Sequence, residues 1–168
     1  MPTPTATLVH TSSGTHLELT RAFEASAVEM WAWITDTDRT AEWFGPWKGP
    51  AHANADISVQ MRFEDGSPWL DAHIEVCERP YDLAISTVDE YGSWLLELTL
   101  REHAGRTILT FTHYLVEANS IGEIGAGWEY YLDMLVAAHA GQPLPTFSDY
   151  YPALTEYFQA LTPIQSGR

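Results

Sequence analysis

Seven histidines and a single cysteine are the residues with the most obvious chemistry, because imidazole titrates near neutrality and a thiolate is both nucleophile and metal ligand. None of the histidines stands in a zinc-hydrolase spacing such as H-E-x-x-H. With Cys77 alone, an intrachain disulfide and a zinc cluster built on the cysteines of one subunit are excluded. Cys77 falls near a strand end with Arg79 as its basic neighbour, an environment that does not mark a catalytic thiol. Asp71, His73 and Glu75 alternate along one strand. That pattern suits a carboxylate–histidine site, but it is also what any solvated strand face shows, and the solvated face is the preferred reading. His113 differs, because its alternation partners Leu109, Phe111 and Leu115 are apolar and turn it toward the interior. There it is either a satisfied core histidine or a ligand contact. No G-x-S-x-G elbow is present. Gly122, Gly125 and Gly127 lack the following lysine and the preceding strand of a phosphate loop, and read instead as a flexible entry to a helix beside a cavity mouth. No cofactor, metal or catalytic residue is expected.

The aromatic residues carry more information. Seven Trp and eight Tyr are many for 168 residues. Trp31 fits a core position, whereas Trp43 and Phe44 close a short helix and Trp128 enters from a long one. Ten residues are the candidate ligand contacts: Trp43, Phe44, Phe63, Leu96, Leu98, Phe111, His113, Trp128, Tyr131 and Leu135. The site they describe is apolar with few polar anchors, and suits a small apolar or aromatic molecule oriented by His113 or Tyr131. Trp69 and Trp94, on sheet positions, are candidates for a homodimer contact.

The elements that must position these residues follow from their periods. Residues 5–24 read as a hairpin turning at Ser12-Ser13-Gly14. Ser26 and Glu29 have capping-box spacing, and Ala27, Met30, Trp31 and Ile34 recur at helical intervals, giving a helix over about 26–35. A second short helix spans 38–44, stopped by Gly45-Pro46. From 55 the period becomes two: Ile57, Val59, Met61 and Phe63 share a face, Asp65-Gly66 marks a hairpin, and Leu70, Ala72, Ile74 and Val76 share the next. Further strands fall at about 82–89, 93–102 and 106–116, an antiparallel meander. Ser120 and Glu123 repeat the capping-box spacing before a helix of about 20 residues ending near Gly141. The tail reads as a strap or short helix. One domain over 1–168 accounts for the whole chain.

Eight basic against 23 acidic residues give a net charge of −15, which repels phosphate backbones and anionic lipid, so neither nucleic-acid binding nor membrane insertion is expected. The start of the chain has no basic segment followed by an apolar stretch, and a cytoplasmic location is the expectation.

This order of elements resembles the START-like superfamily, also called SRPBCC, which includes the birch pollen allergen and polyketide cyclases. Four strings resemble more narrowly the branch named for homology with activators of the ATPase of the ninety-kilodalton heat-shock chaperone. They are Arg21-Ala22-Phe23-Glu24-Ala25, Trp43-Phe44-Gly45-Pro46, the strand Gly105-Arg106-Thr107-Ile108-Leu109-Thr110-Phe111-Thr112-His113, and Gly127-Trp128 with Leu132-Asp133-Met134-Leu135. The resemblance implies an α+β helix-grip fold: a curved antiparallel sheet wrapped around a long C-terminal helix, with two short helices after the first strands. It implies fold more than function, since members include small-ligand binders and chaperone-binding domains and no catalytic motif is common to them. Noncatalytic binding of an apolar or aromatic ligand is therefore the leading expectation. The alternatives are a cyclase-like or hydrolase-like enzyme using His113 and Tyr131, and a co-chaperone-like interaction domain.

Overall fold

The computed structural model describes residues 2–90, 92–115 and 121–165. Among the described residues nine strands, numbered β1 to β9 along the chain, form one sheet in the order β3-β4-β5-β6-β7-β8-β2-β1-β9. The first hairpin is β1 (Thr7–Thr11) and β2 (Gly14–Phe23), followed by helices α1 (Ala27–Thr35) and α2 (Thr37–Thr40). The meander runs through β3 (Trp47–Lys48), β4 (Asp56–Gln60), β5 (Trp69–Glu78), β6 (Asp82–Asp89), β7 (Gly92–His103) and β8 (Arg106–Tyr114). Helix α3 (Ile121–Ala140) lies on the sheet, and the tail adds α4 (Thr155–Gln159) and β9 (Ile164–Gln165). This is the expected α+β helix-grip architecture, with one unexpected element: β9 pairs parallel with β1 at the sheet edge.

Local chemistry fixes the entry to the site. Ser26 accepts from the Glu29 amide at 3.1 Å and caps α1, while Glu29 turns outward to His139 at 3.4 Å rather than completing the box. The second helix is shorter than its sequence suggests. It ends at Thr40, whose carbonyl takes the amides of both Phe44 and Gly45 at 2.8 Å. Gly45 then passes so close to β4 that a Cβ there would stand 1.7 Å from the Gln60 carbonyl oxygen, so a residue with any side chain would push the two segments apart. The fourth strand also stops early. Beyond Gln60 the chain forms a loop over 61–68 in which Gln60 Nε2 donates to the Ser67 carbonyl at 3.2 Å, so Asp65-Gly66 belongs to a longer connection than a two-residue hairpin.

A β-bulge between Ile74 and Val76 shifts the register of β5 against β6. Past it Cys77, not Val76, continues the inner row and pairs with Leu83. Such bulges re-aim side chains in this way, and simple alternation does not reveal them. The glycines of α3 also have a role other than the expected one. A Cβ on Gly125 would meet the Phe158 ring at 2.2 Å, and one on Gly122 would meet Thr155 at 3.0 Å, so these positions let α4 pack directly on α3. Ser120 and Val116 lie outside the described residues.

On α3, Glu129 is fully buried and, together with Asp133, ties the helix to the N-terminal segment, β2 and the tail. Its Oε2 accepts from Arg21 Nη2 at 2.7 Å, and its Oε1 from the amides of Thr5 and Ala6 at 2.5 and 2.9 Å. Arg21 Nε donates to Asp133 at 3.0 Å, and Asp133 accepts from the Tyr150 hydroxyl at 2.7 Å. Burial, followed by this hydrogen bond to Asp133, raises the Tyr150 phenol above its usual range and keeps it a donor. Among the described residues no helix is long and apolar enough to cross a membrane.

Candidate functional site

Between α3, the α1–α2 segment and the inner face of β4–β8 lies a cavity of about 1050 Å³. Seven of the ten candidate residues line it: Trp43, Phe44, Leu96, Leu98, Phe111, Trp128 and Tyr131. The rings form a continuous run. Trp43 and Phe44 have centroids 5.8 Å apart, Phe44 and Tyr131 4.8 Å, Tyr131 and Trp128 6.3 Å, and Trp128 and Phe111 4.5 Å. Pairs at these separations hold one another in tilted or edge-on geometry and stiffen the wall.

Three of the indole N–H groups have acceptors within the protein. Trp43 Nε1 donates to the Trp33 carbonyl at 2.9 Å, and Trp47 Nε1 to the Thr35 carbonyl at 2.7 Å. Trp128 Nε1 donates to His113 Nδ1 at 3.1 Å. These three rings can thus meet an apolar surface without leaving an indole donor unpaired.

Phe63, His113 and Leu135 are placed elsewhere. Phe63 belongs to the loop that replaces the end of the expected strand and packs half-buried at its edge. Leu135 is completely buried in the core beneath α3. His113 points inward as its alternation requires, but stands behind the wall, stacked on Trp94 with centroids 4.8 Å apart and rings 19° from parallel. An indole N–H only donates, so His113 Nδ1 is the bare nitrogen and the ring is the neutral Nε2–H tautomer. Burial pushes its pKa down to about 4. The Tyr131 hydroxyl is also engaged, donating to Glu64 at 2.6 Å. Burial and this bond raise the phenol well above its ordinary range.

Several wall residues were not expected. Trp94, anticipated as an interface residue, faces the cavity with Trp31 and Trp47, so five of the seven tryptophans line it. Ile57, Val59, Leu70, Ala72 and Ile74 complete the β4–β5 side, and the bulge adds Cys77. The inward rows of β4 and β5 were a legible signal for the first five; nothing in the periodicity marked Cys77. Asp36, Asp38 and Arg39, all exposed, mark the mouth. On the opposite face of the sheet, His73 Nδ1 pairs with exposed Asp56 at 2.7 Å and Ser86 donates to Glu75 at 2.6 Å. That places the Asp71–His73–Glu75 row on the solvated side, and among the described residues no cluster of three or more His, Cys, Asp or Glu is arranged to hold a metal.

A curved antiparallel sheet closed by one long helix over an internal cavity defines a START-like, helix-grip protein. Residues 24–140 match the model of the family described as activator of Hsp90 ATPase homolog 1-like protein. The chain belongs to that family. No match is found among curated proteins. Among solved structures, CalU16 from Micromonospora echinospora superposes with a TM-score of 0.75 at 25% identity, covering 95% of this chain and 96% of that one. DynU16, described as a putative protein in the dynemicin biosynthetic locus, gives a TM-score of 0.67 at 23% identity over 79% of this chain and 50% of its own. A conserved protein of unknown function from Enterococcus faecalis, EF2215, gives 0.73 at 18% identity over 94% of this chain and 92% of its own.

Proposed function

We propose that this protein binds a small apolar or aromatic molecule in the cavity between the sheet and α3 and performs no chemistry on it. The cavity itself carries the reading. An open space of about 1050 Å³ forfeits packing energy that the same aromatic residues would gain by interdigitating, and a site for a ligand gives that loss a purpose. Drug-sized ligands occupy pockets of roughly 300–1000 Å³, so the space suits a multi-ring molecule. Its burial contributes ~25 cal/mol per Å² of apolar area. The occurrence of the fold neighbour DynU16 in a biosynthetic locus agrees with a small-molecule role.

An enzymatic reading using His113 and Tyr131 is less favoured, because the His113 Nδ1 lone pair already accepts the Trp128 indole N–H and the Tyr131 hydroxyl proton is already donated to Glu64. A general base needs a free lone pair within reach of the substrate. The family description brings a chaperone-directed role as the second reading, tested by assaying the chaperone's ATPase with and without this chain.

Titration with a neutral polycyclic aromatic such as 9-anthracenemethanol tests ligand binding. Because five of seven tryptophans line the cavity, saturation is expected to quench most of the tryptophan emission. Trp128→Phe keeps a ring but removes the hydrogen bond to His113, and is expected to weaken binding by about three- to tenfold, the scale of ~1 kcal/mol of lost wall order, with the circular dichroism unchanged. Linear, non-saturating quenching in both proteins would contradict the proposal.

A further inference from the structure

We propose that the cavity selects cations: its ligand carries a positive charge, such as a protonated amine, on its apolar or aromatic body. This inference rests on the ligand-binding reading above and adds the charge class of the ligand.

Three features act in the same direction. The first is the aromatic wall, since aromatic rings lining an apolar space attract a desolvated cation through their quadrupoles. The second is the mouth, where exposed Asp36 and Asp38 border the opening. Asp36 occupies the N-cap position of α2 yet makes no side-chain capping hydrogen bond, so its carboxylate is not consumed in holding the helix. The third is the protein's net charge of −15, which gives the approach to the cavity a negative potential, concentrating cations and repelling anions.

Two guanidinium groups, Arg39 and Arg79, also line the cavity. Arg39 is already engaged, with its guanidinium 4.6 Å over the Trp33 ring and 4.0 Å from Glu42. By formal count the lining holds three carboxylates, Asp36, Asp38 and Asp89, and these two guanidiniums.

Three flat tricyclic probes of similar size separate charge from shape: 9-aminoacridine as the cation, 9-anthracenemethanol as the neutral molecule and anthracene-2-sulfonate as the anion. At pH 7 and low salt, the cation is expected to bind about tenfold or more tightly than the anion, with the neutral probe between them. The ratio should shrink as salt screens the approach. Asp36→Asn combined with Asp38→Asn should lower the cation-to-anion ratio about threefold while leaving the affinity for the neutral probe unchanged. Ala72→Trp, which intrudes on the cavity, should weaken all three. Equal affinities for the three probes, or an unaltered ratio in the double variant, would overturn the selection of cations while leaving the binding reading standing. Cation uptake that persists undiminished in Ala72→Trp would also overturn it, by placing the dye on the acidic surface. Binding of none of the probes would overturn the underlying reading and this inference with it.

Discussion

Glu129→Ala is expected to lower the stability of the fold by about 3–5 kcal/mol, the cost of breaking a buried charge pair from one side. The Glu129 side chain is 1% exposed and its partner Arg21 10%. Removing the carboxylate strips Arg21 Nη2 of its acceptor and leaves the amides of Thr5 and Ala6 without theirs. Arg21 retains Asp133 at 3.0 Å, so the guanidinium is not abandoned altogether. Glu129→Gln, which keeps an acceptor for the amides and loses the charge, should cost less, about 1.5–3 kcal/mol. Domains have ~5–15 kcal/mol to lose, so both variants should fold and their urea midpoints can be compared. A Glu129→Ala midpoint within about 1 kcal/mol of the parent would show that the network contributes little.

The second large effect appears in acid. His113 has its pKa pushed down to about 4 by burial against an ordinary 6.5. Above pH 6.5 both folded and unfolded chains carry it neutral, and it adds no pH dependence. As the pH falls below 6.5 the unfolded chain takes up a proton that the folded chain refuses, so stability is lost progressively down to about pH 4. The loss approaches about 3 kcal/mol, from ~1.4 kcal/mol per pKa unit. Asp82 acts oppositely: burial and the neighbouring Glu97 raise it to about 6, so the folded chain binds that proton first and acid favours folding through it. The two contributions separate on comparison with His113→Gln, which retains an acceptor for Trp128 and does not titrate. The stability difference between parent and variant should change by about 3 kcal/mol between pH 7 and pH 4. A difference that is flat across this range would mean that His113 is not held neutral behind the wall.

Much of the cavity was legible because two periods cross in it. Alternation along β7 and β8 gave Leu96, Leu98 and Phe111, and the helical stripe of α3 gave Trp128 and Tyr131, so sheet and helix each announced the face that meets the other. Trp43 and Phe44 followed from the stop at Gly45-Pro46, even though the helix before them ends four residues sooner than Phe44. What periodicity could not give was anything depending on a third element. Phe63 keeps the alternating pattern after its strand has stopped, because the close approach of Gly45 to Gln60 is a tertiary constraint. His113 satisfies the inward pattern, yet two indoles stand between it and the open space. The bulge that turns Cys77 inward leaves no mark in residue type. Glu129 was hidden for the opposite reason: attention to one apolar stripe passed over a second buried face, on which Gly122 and Gly125, beside buried Ala126, provide room for α4. Their small size at three- and four-residue intervals was the available signal.

Isothermal titration of the purified protein with 9-anthracenemethanol at several temperatures tests the binding of an apolar ligand most directly. Filling a preformed aromatic cavity predicts one-to-one stoichiometry and a binding enthalpy that grows more negative with temperature, the heat-capacity mark of apolar burial. The absence of any saturable heat at every temperature, for this probe and for larger neutral polycyclic aromatics alike, would contradict it and leave the aromatic rings as packing alone.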